Sequence, residues 1–218
     1  MTNTITIPTE IDLAEFISRE SHDLKSPFNR ILGFLKLVIK GLDGPIPDQA
    51  KEDLTTVYQN SQAALVFMSS LVEMARLSRD ERELNPVEQP LGFLVQQVVN
   101  EWKRQAPSEE PVEFNLSVPD TSIRADEILL RQGLYHWISY VFFHTQGNTA
   151  IDIQVKEKPE SLTFSLTSRG TAFQEPAECD RTLHGYIANK VLEIHQGELL
   201  ALEANKLGLQ VEFCLPKA

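Results

Sequence analysis

The residues best suited to chemistry lie near the start of the chain, around His22. On a helix of about 100° per residue, His22 lies about 160° from Leu24, which belongs to an apolar stripe. Ser26, Asn29 and Gly33 fall within about 40° of His22. A neutral imidazole is a nucleophile near pH 7, because its pKa lies close to that value. The spacing therefore predicts an outward imidazole with polar neighbours on the same helix face.

Two flanking residues strengthen this prediction. Asp23 can accept a hydrogen bond from one ring nitrogen and leave the other lone pair able to take a phosphoryl group. Pro27 lacks an N–H and its ring crowds the carbonyl of Asp23, so we expect the helix to bend there. The bend and Gly33 leave room for a partner molecule. The alternative interpretation is an ordinary exposed histidine on a solvated helix.

Two long helices, separated by a turn at 41–48, are predicted to position these residues. Each helix carries an apolar stripe, and two antiparallel helices cannot cover both stripes. We therefore expect a four-helix bundle formed by dimerisation. The first stripe contains Leu13, Ile17, Leu24, Phe28, Ile31, Leu35, Val38 and Leu42, and the second contains Leu54, Tyr58, Ser61, Leu65, Met68 and Val72.

The pattern changes to mixed helices and strands after Asn85-Pro86. Helices are expected over 91–104, 126–145 and 182–195, and strands over 112–118, 150–155, 161–168, 198–204 and 207–215. Hairpins rather than crossovers favour a mixed sheet with helices on one face. The predicted fold class is α+β, with an antiparallel helical hairpin over 1–84 and an α/β sandwich over 85–218.

Composition excludes several classes of function. The 218 residues include 20 Lys and Arg against 31 Asp and Glu, which gives a net charge of −11. This balance disfavours nucleic acid and anionic membranes as partners. No apolar run approaches the ~20 residues that cross a bilayer, and the first residues do not read as a secretory signal. The cysteines, Cys179 and Cys214, form no framework and fit a reducing compartment. We expect a cytoplasmic protein without membrane insertion.

The segment Ser21 to Asn29 reads Ser-His-Asp-Leu-Lys-Ser-Pro-Phe-Asn. It resembles the phosphoacceptor motif of bacterial two-component histidine kinases, which reads Ser-His-Glu/Asp-Leu-Arg/Lys-Thr/Ser-Pro-Leu-Asn. The following segment, Ile31 to Phe34, is similar to that family as well. The family carries this motif on a dimerisation and phosphotransfer hairpin, so the resemblance implies the same role for residues 1–84.

The resemblance implies a role for each residue of the motif. His22 would be the phosphorylated position, and Asp23 would orient or activate it. Ser26 stands where a Thr or Asn positions water for dephosphorylating the partner. Lys25, Asn29 and Gly33 are expected to contact the partner.

In this family the second domain binds ATP, and 130–134 and 191–199 are similar to it. The chemical residues differ. Tyr140 stands where the family has a magnesium-ligating Asn, and tyrosine is a poor ligand for a hard cation. Ser168 stands where an Asp binds adenine, and it lacks the carboxylate. At Thr182-Leu183-His184, the second glycine box, side chains obstruct close approach of the backbone to phosphates. The resemblance therefore implies a degenerate ATPase-like domain that has lost ATP binding.

The other histidines are interpreted as structural. His136 and His144 are expected to be packing or satisfied polar residues, and His184 and His195 lack metal-ligand spacing. No cofactor-binding or metal-ligating residue is assigned.

Three functions remain open from the sequence. The first is a histidine phosphotransferase, in which His22 carries a phosphoryl group between receiver-domain aspartates and the receiver supplies Mg²⁺. The second is an ATP-dependent sensor histidine kinase with an unusual nucleotide site. The third is a non-catalytic or phosphatase-type regulator of a receiver or kinase. The expected partners are response-regulator receiver domains, a second copy of the chain, and a sensor kinase.

Overall fold

The computed structural model describes residues 12–42, 44–77, 84–105, 111–172, 182–205 and 208–217. The chain divides into two compact units, Met1–Glu81 and Arg82–Ala218. Within the described residues, no helix is both long enough and apolar enough to span a membrane.

The first unit is a helical hairpin of α1 (Leu13–Ile39) and α2 (Asp48–Leu77). A Schellman motif ends α1: Leu42 N–H donates to the Leu37 carbonyl at 3.2 Å, and Gly41 N–H donates to the Val38 carbonyl at 2.9 Å. Gly41 has a φ of 72°, which favours glycine because it has no Cβ. The chain is thereby turned out of α1 towards α2.

The apolar stripe of α1 is divided between two environments. Ile17, Phe28 and Leu35 are half-buried, whereas Leu24 and Ile31 are about half exposed. The predicted stripe of α2 is more uniform, since its residues are half-buried or buried throughout. The hairpin also exposes further large apolar side chains, namely Phe16, Phe34, Leu37, Leu42, Val57, Val66 and Phe67.

The second unit contains a five-stranded mixed sheet in the order β2-β4-β5-β7-β6. Its strands are β2 (Glu113–Ser117), β4 (Thr145–Glu157), β5 (Ser161–Ala172), β6 (Glu198–Asn205) and β7 (Gly208–Pro216). Strand β2 runs parallel to β4, and the other neighbours are antiparallel. A separate antiparallel pair is formed by β1 (Pro86–Pro90) and β3 (Ser122–Asp126).

Three helices pack on the sheet: α3 (Leu91–Gln105), α4 (Glu127–Phe143) and α5 (Leu183–Ile194). The alternation of β5 shows how the core forms, because Leu162, Phe164 and Leu166 are fully buried beside helix residues such as Trp102 and Trp137. A strand with one buried face requires this period of two. The opposite face of the same strand is polar, with Thr163 buried and Ser165 and Thr167 half-buried.

The predicted α+β fold class is confirmed, including a helical hairpin that precedes a mixed sheet with helices. Asp126 caps α4 and does not belong to it, since its carboxylate accepts the Leu129 N–H at 3.0 Å. Strands β1 and β3 were not predicted. The sequence of β1, Pro-Val-Glu-Gln-Pro, gives no strand signal because proline cannot complete a ladder.

Candidate functional site

The predicted phosphoacceptor segment lies in the first half of α1. His22 is part of the continuous helix, and its imidazole lies outside the described side chains. Pro27 lies inside α1 without ending it. Because Pro27 has no N–H, the carbonyl of Asp23 loses its usual helical donor one turn later. The predicted bend at this point stays a prediction.

The residues of the predicted site other than His22 differ in exposure. Asp23, Ser26, Asn29 and Gly33 are all exposed, whereas Lys25 is half-buried. A Cβ placed on Gly33 would meet no atom within 4 Å, so the surface beside it is open. The structure thus places Ser26, Asn29 and Gly33 on one accessible surface.

In the second unit, Tyr140 fills the position that the resemblance assigns to a magnesium ligand. Its side chain is fully buried and its ring lies 5.9 Å from Trp137 and 4.3 Å from His144, measured between centroids. A neutral phenol in this packing offers neither a carboxamide nor a carboxylate oxygen to Mg²⁺. Tyr140 is therefore part of the hydrophobic core of the second unit.

Ser168 is held by three hydrogen-bonding contacts at the predicted adenine position. Its Oγ lies 2.5 Å from Thr145 Oγ1, accepts the Leu209 N–H at 3.0 Å and donates to the Leu209 carbonyl at 3.3 Å. The side chain is fully buried. A hydroxyl group has a single donor and two lone pairs. The Ser168 hydroxyl therefore has little remaining capacity to hydrogen-bond an adenine base.

Gly208 of β7 lies against Ser168 at the same predicted adenine position. A Cβ on Gly208 would come within 1.7 Å of the Ser168 carbonyl oxygen, and the residue has a φ of 148°. Only glycine therefore allows β7 to approach β5 this closely.

The predicted second glycine box forms the start of α5. Thr182 is the N-cap, and its Oγ1 accepts the Gly185 N–H at 3.1 Å. His184 lies in the first turn and contacts His136 of α4, with 2.8 Å between the two Nδ1 atoms. The cap thus engages one of the first-turn N–H groups, that of Gly185, which could otherwise face a phosphate.

His136 was interpreted as a packing or satisfied polar residue and His184 as lacking metal-ligand spacing, and the contact between them was not predicted. They are 48 residues apart in sequence, so no local spacing could indicate the pair. The two residues lie on different helices, α4 and α5, and only the packing of one helix on the other brings the two rings together.

The described residues contain no group of three or more His, Cys, Asp or Glu side chains that could hold a metal ion. A concavity of about 280 Å³ lies on the polar face of the sheet, away from the core. It is lined by Asp152, Gln154, Lys156, Thr163, Ser165, Thr167, Gln210 and Glu212. None of these belongs to the predicted nucleotide positions.

The sequence is similar to curated sensor kinases, although no protein family model matches it. It is 20% identical over 164 residues to the circadian input-output histidine kinase CikA of Synechococcus elongatus, covering 74% of this chain and 22% of CikA. It is 24% identical over 168 residues to the autoinducer 2 sensor kinase/phosphatase LuxQ of Vibrio cholerae, covering 74% of this chain and 19% of LuxQ. The chain thus spans about a fifth of each relative.

Solved structures share the fold. Full-length ShkA, in complex with AMPPNP, superposes with a TM-score of 0.71 at 20% identity, covering 94% of this chain and 46% of ShkA. The histidine kinase AdeS of Acinetobacter baumannii superposes with a TM-score of 0.64 at 14% identity, covering 90% of this chain and 98% of that chain. The chain is thus similar in sequence to sensor histidine kinases and shares its fold with a solved histidine kinase.

Proposed function

We propose that the chain is a phosphotransfer protein of a two-component pathway. A ring nitrogen of His22 attacks the phosphorus of an aspartyl phosphate on a receiver domain. The N–P bond forms as the O–P bond breaks, which restores the receiver's carboxylate. The reverse displacement then passes the phosphoryl group to the aspartate of a second receiver. Asp23 orients the imidazole by accepting a hydrogen bond from the other ring nitrogen.

The surroundings of His22 on α1 support this role. Ser26, Asn29 and Gly33 form an accessible surface to which a receiver can bind, and Lys25 adds a positive charge beside it. The receiver brings its own Mg²⁺ to stabilise the charge on the moving phosphoryl group. The chain then needs to supply little beyond an exposed and oriented imidazole.

The packing of Tyr140 and Ser168 is the observation that favours a phosphotransferase over an ATP-dependent kinase. Both side chains are fully buried and engaged, at the positions where the family resemblance expects ligands for Mg²⁺ and adenine. The residues present do not fit a magnesium nucleotide, so no step of the proposed mechanism passes through ATP.

Transfer of label from a receiver tests the proposal. Purified chain is mixed with a receiver domain carrying ³²P on its aspartate, and acid-labile, alkali-stable label on the chain is measured. We expect labelling of the wild type and none of His22→Ala. His144→Gln, which removes a histidine from the other unit, should keep the label. An unlabelled wild type, or equal labelling of His22→Ala, contradicts the proposal.

A second candidate is an ATP-dependent sensor kinase, which the likeness to histidine kinases favours. Calorimetric titration of the full chain with ATP and Mg²⁺ separates the two. Saturable binding, together with His22 labelling from γ-labelled ATP, would establish the kinase and reject the phosphotransferase.

A third candidate is a regulator that dephosphorylates or only docks a receiver. The exposed Ser26 favours it, since a hydroxyl one turn after His22 can position water at a receiver's phosphoaspartate. In this case His22→Ala would keep receiver binding and phosphate release, Ser26→Ala would lose the release, and no phosphohistidine would accumulate.

A further inference from the structure

A buried pair of histidines joins α4 to the first turn of α5. The Nδ1 atoms of His136 and His184 lie 2.8 Å apart, and the ring centroids lie 5.0 Å apart. His136 is 3% exposed. Phe143 stacks on His184 at 5.3 Å with 16° between the ring planes. A nitrogen–nitrogen contact this short is a hydrogen bond, so one Nδ1 carries a proton and the other accepts it.

The surroundings keep both rings neutral at pH 7. Burial, and then the neighbouring His184, lowers the pKa of His136 to about 3. Burial, and then the neighbouring His144, lowers the pKa of His184 to about 4. His184 also lies in the first turn of α5, where the helix dipole disfavours a positive charge.

The titratable groups packed around the pair do not offset a positive charge. On α4, the Tyr135 ring meets the edge of His136 at 5.6 Å, and burial raises the pKa of Tyr135 so that it stays neutral. From α3, Glu101 accepts a hydrogen bond from Arg131 at 2.8 Å. Within the described part of the chain, neither histidine has an ion pair with a carboxylate.

We propose that the His136–His184 pair is a proton-sensitive latch, which holds the first turn of α5 against α4 at neutral pH and releases it in acid. One added proton puts a cation into an apolar contact, and a second turns both Nδ1 atoms into donors that face each other. The inference rests on the packing of α4 and α5 and is independent of phosphotransfer.

Proton linkage gives the direction and size of the change in stability of the closed state with pH. In the released state the rings meet water and regain a pKa near 6.5. The closed state is therefore fully stable above pH 6.5 and loses stability as the pH falls towards 4. For His184 alone, the ratio of released to closed states rises about twentyfold between pH 7 and pH 5.

Ring titration of the wild type is the first test. The full chain is labelled with ¹⁵N-histidine, and its five histidines are followed by NMR from pH 8 to pH 4. We expect two rings to stay neutral down to about pH 5, and His136→Gln and His184→Gln to assign them. Ordinary titration of both rings near pH 6.5 would overturn the proposal.

Hydrogen exchange then tests release. The Gly185 and Tyr186 amides report on the first turn of α5, since both donate to Thr182. After correction for intrinsic exchange, we expect their protection to fall more than tenfold from pH 7 to pH 5, while Leu166 and Val211 in the sheet stay protected. The double variant His136→Gln/His184→Gln should lose this pH dependence. An unchanged protection in the wild type, or an unchanged fall in a folded double variant, would contradict the latch.

Discussion

The hydroxyl group of Ser168 has a structural role, and its contribution to stability can be measured. Its Oγ contacts Thr145 and both backbone groups of Leu209 inside the core. Removing it leaves the Leu209 N–H and carbonyl without this side-chain partner. A buried unsatisfied polar group costs about 1–3 kcal/mol.

We expect Ser168→Ala to lower the free energy of unfolding by about 1–3 kcal/mol. Urea denaturation of the full chain, followed by fluorescence of the buried Trp102 and Trp137, measures the change. Ser165→Ala is the matched control, because Ser165 lies on the polar face of the same strand and only accepts a hydrogen bond from Gln210. Equal effects of the two substitutions would argue against a special role for Ser168.

At the level of single residues, the sequence predicted features that depend on local spacing. It did not predict features that depend on tertiary packing. The exposed positions Ser26, Asn29 and Gly33 follow from helical spacing alone. The contact of His136 with His184 depends on how two helices pack, and the burial of Tyr140 depends on the sheet beneath α4. Both features depend on tertiary packing, which the spacing of residues in the sequence does not indicate.

Helices α4 and α5 approach each other closely at Gly133. A Cβ on Gly133 would come within 2.6 Å of Val191 Cγ1 and 3.0 Å of Val191 Cβ. The absent side chain therefore sets the distance between the two helices. The histidine pair lies one turn further along α4, so this spacing also determines whether the rings can meet.

We expect Gly133→Ala to destabilise the chain, because overpacking costs about 1–3 kcal/mol and exceeds the gain of about 1 kcal/mol in helix propensity. Gly92→Ala in α3 is the control, since its Cβ would meet nothing within 4 Å and it should be neutral or stabilising. Urea denaturation compares them. The double variant Gly133→Ala/Val191→Ala should recover part of the loss, and no recovery would reject the steric explanation.

At the level of elements, segments with a clear apolar period were predicted, including the five-residue strand β2, whereas β1 and β3 were not. The hairpin strands β6 and β7 carry enough alternation to be recognised, and α1 and α2 extend over eight turns or so. Strands β1 and β3 have five residues each and pair with each other across a helix. Their pairing depends on tertiary contacts, so the local sequence carries no pattern that predicts these strands.

The exposed apolar side chains of the hairpin bear on the oligomeric state of the whole molecule. Leu24 and Ile31 are about half exposed, and Phe34 is more so. Exposed large apolar side chains on a hairpin favour association. A second copy can cover it by forming the predicted four-helix bundle, so dimerisation stays a prediction with a direct test.

We expect light scattering at micromolar concentration to give about 49 kDa, twice the chain mass of 24.6 kDa. Leu24→Glu/Ile31→Glu should reduce this to one chain, because a buried charge in the bundle is costly. Asn60→Glu/Gln62→Glu adds the same charge at exposed positions of α2 and should stay dimeric. A monomeric wild type would contradict the predicted four-helix bundle.

The packing of side chains around Tyr140 and Ser168 restricts which substitutions the chain can accept during evolution. Tyr140→Asn alone would leave a void where a ring now contacts Trp137. Ser168→Asp alone would put an uncompensated negative charge among buried neighbours. Under the proposed function, each single substitution towards a nucleotide site is expected to be damaging unless others accompany it, so descendants of this chain are expected to diversify in the partners they bind and not to acquire ATP binding.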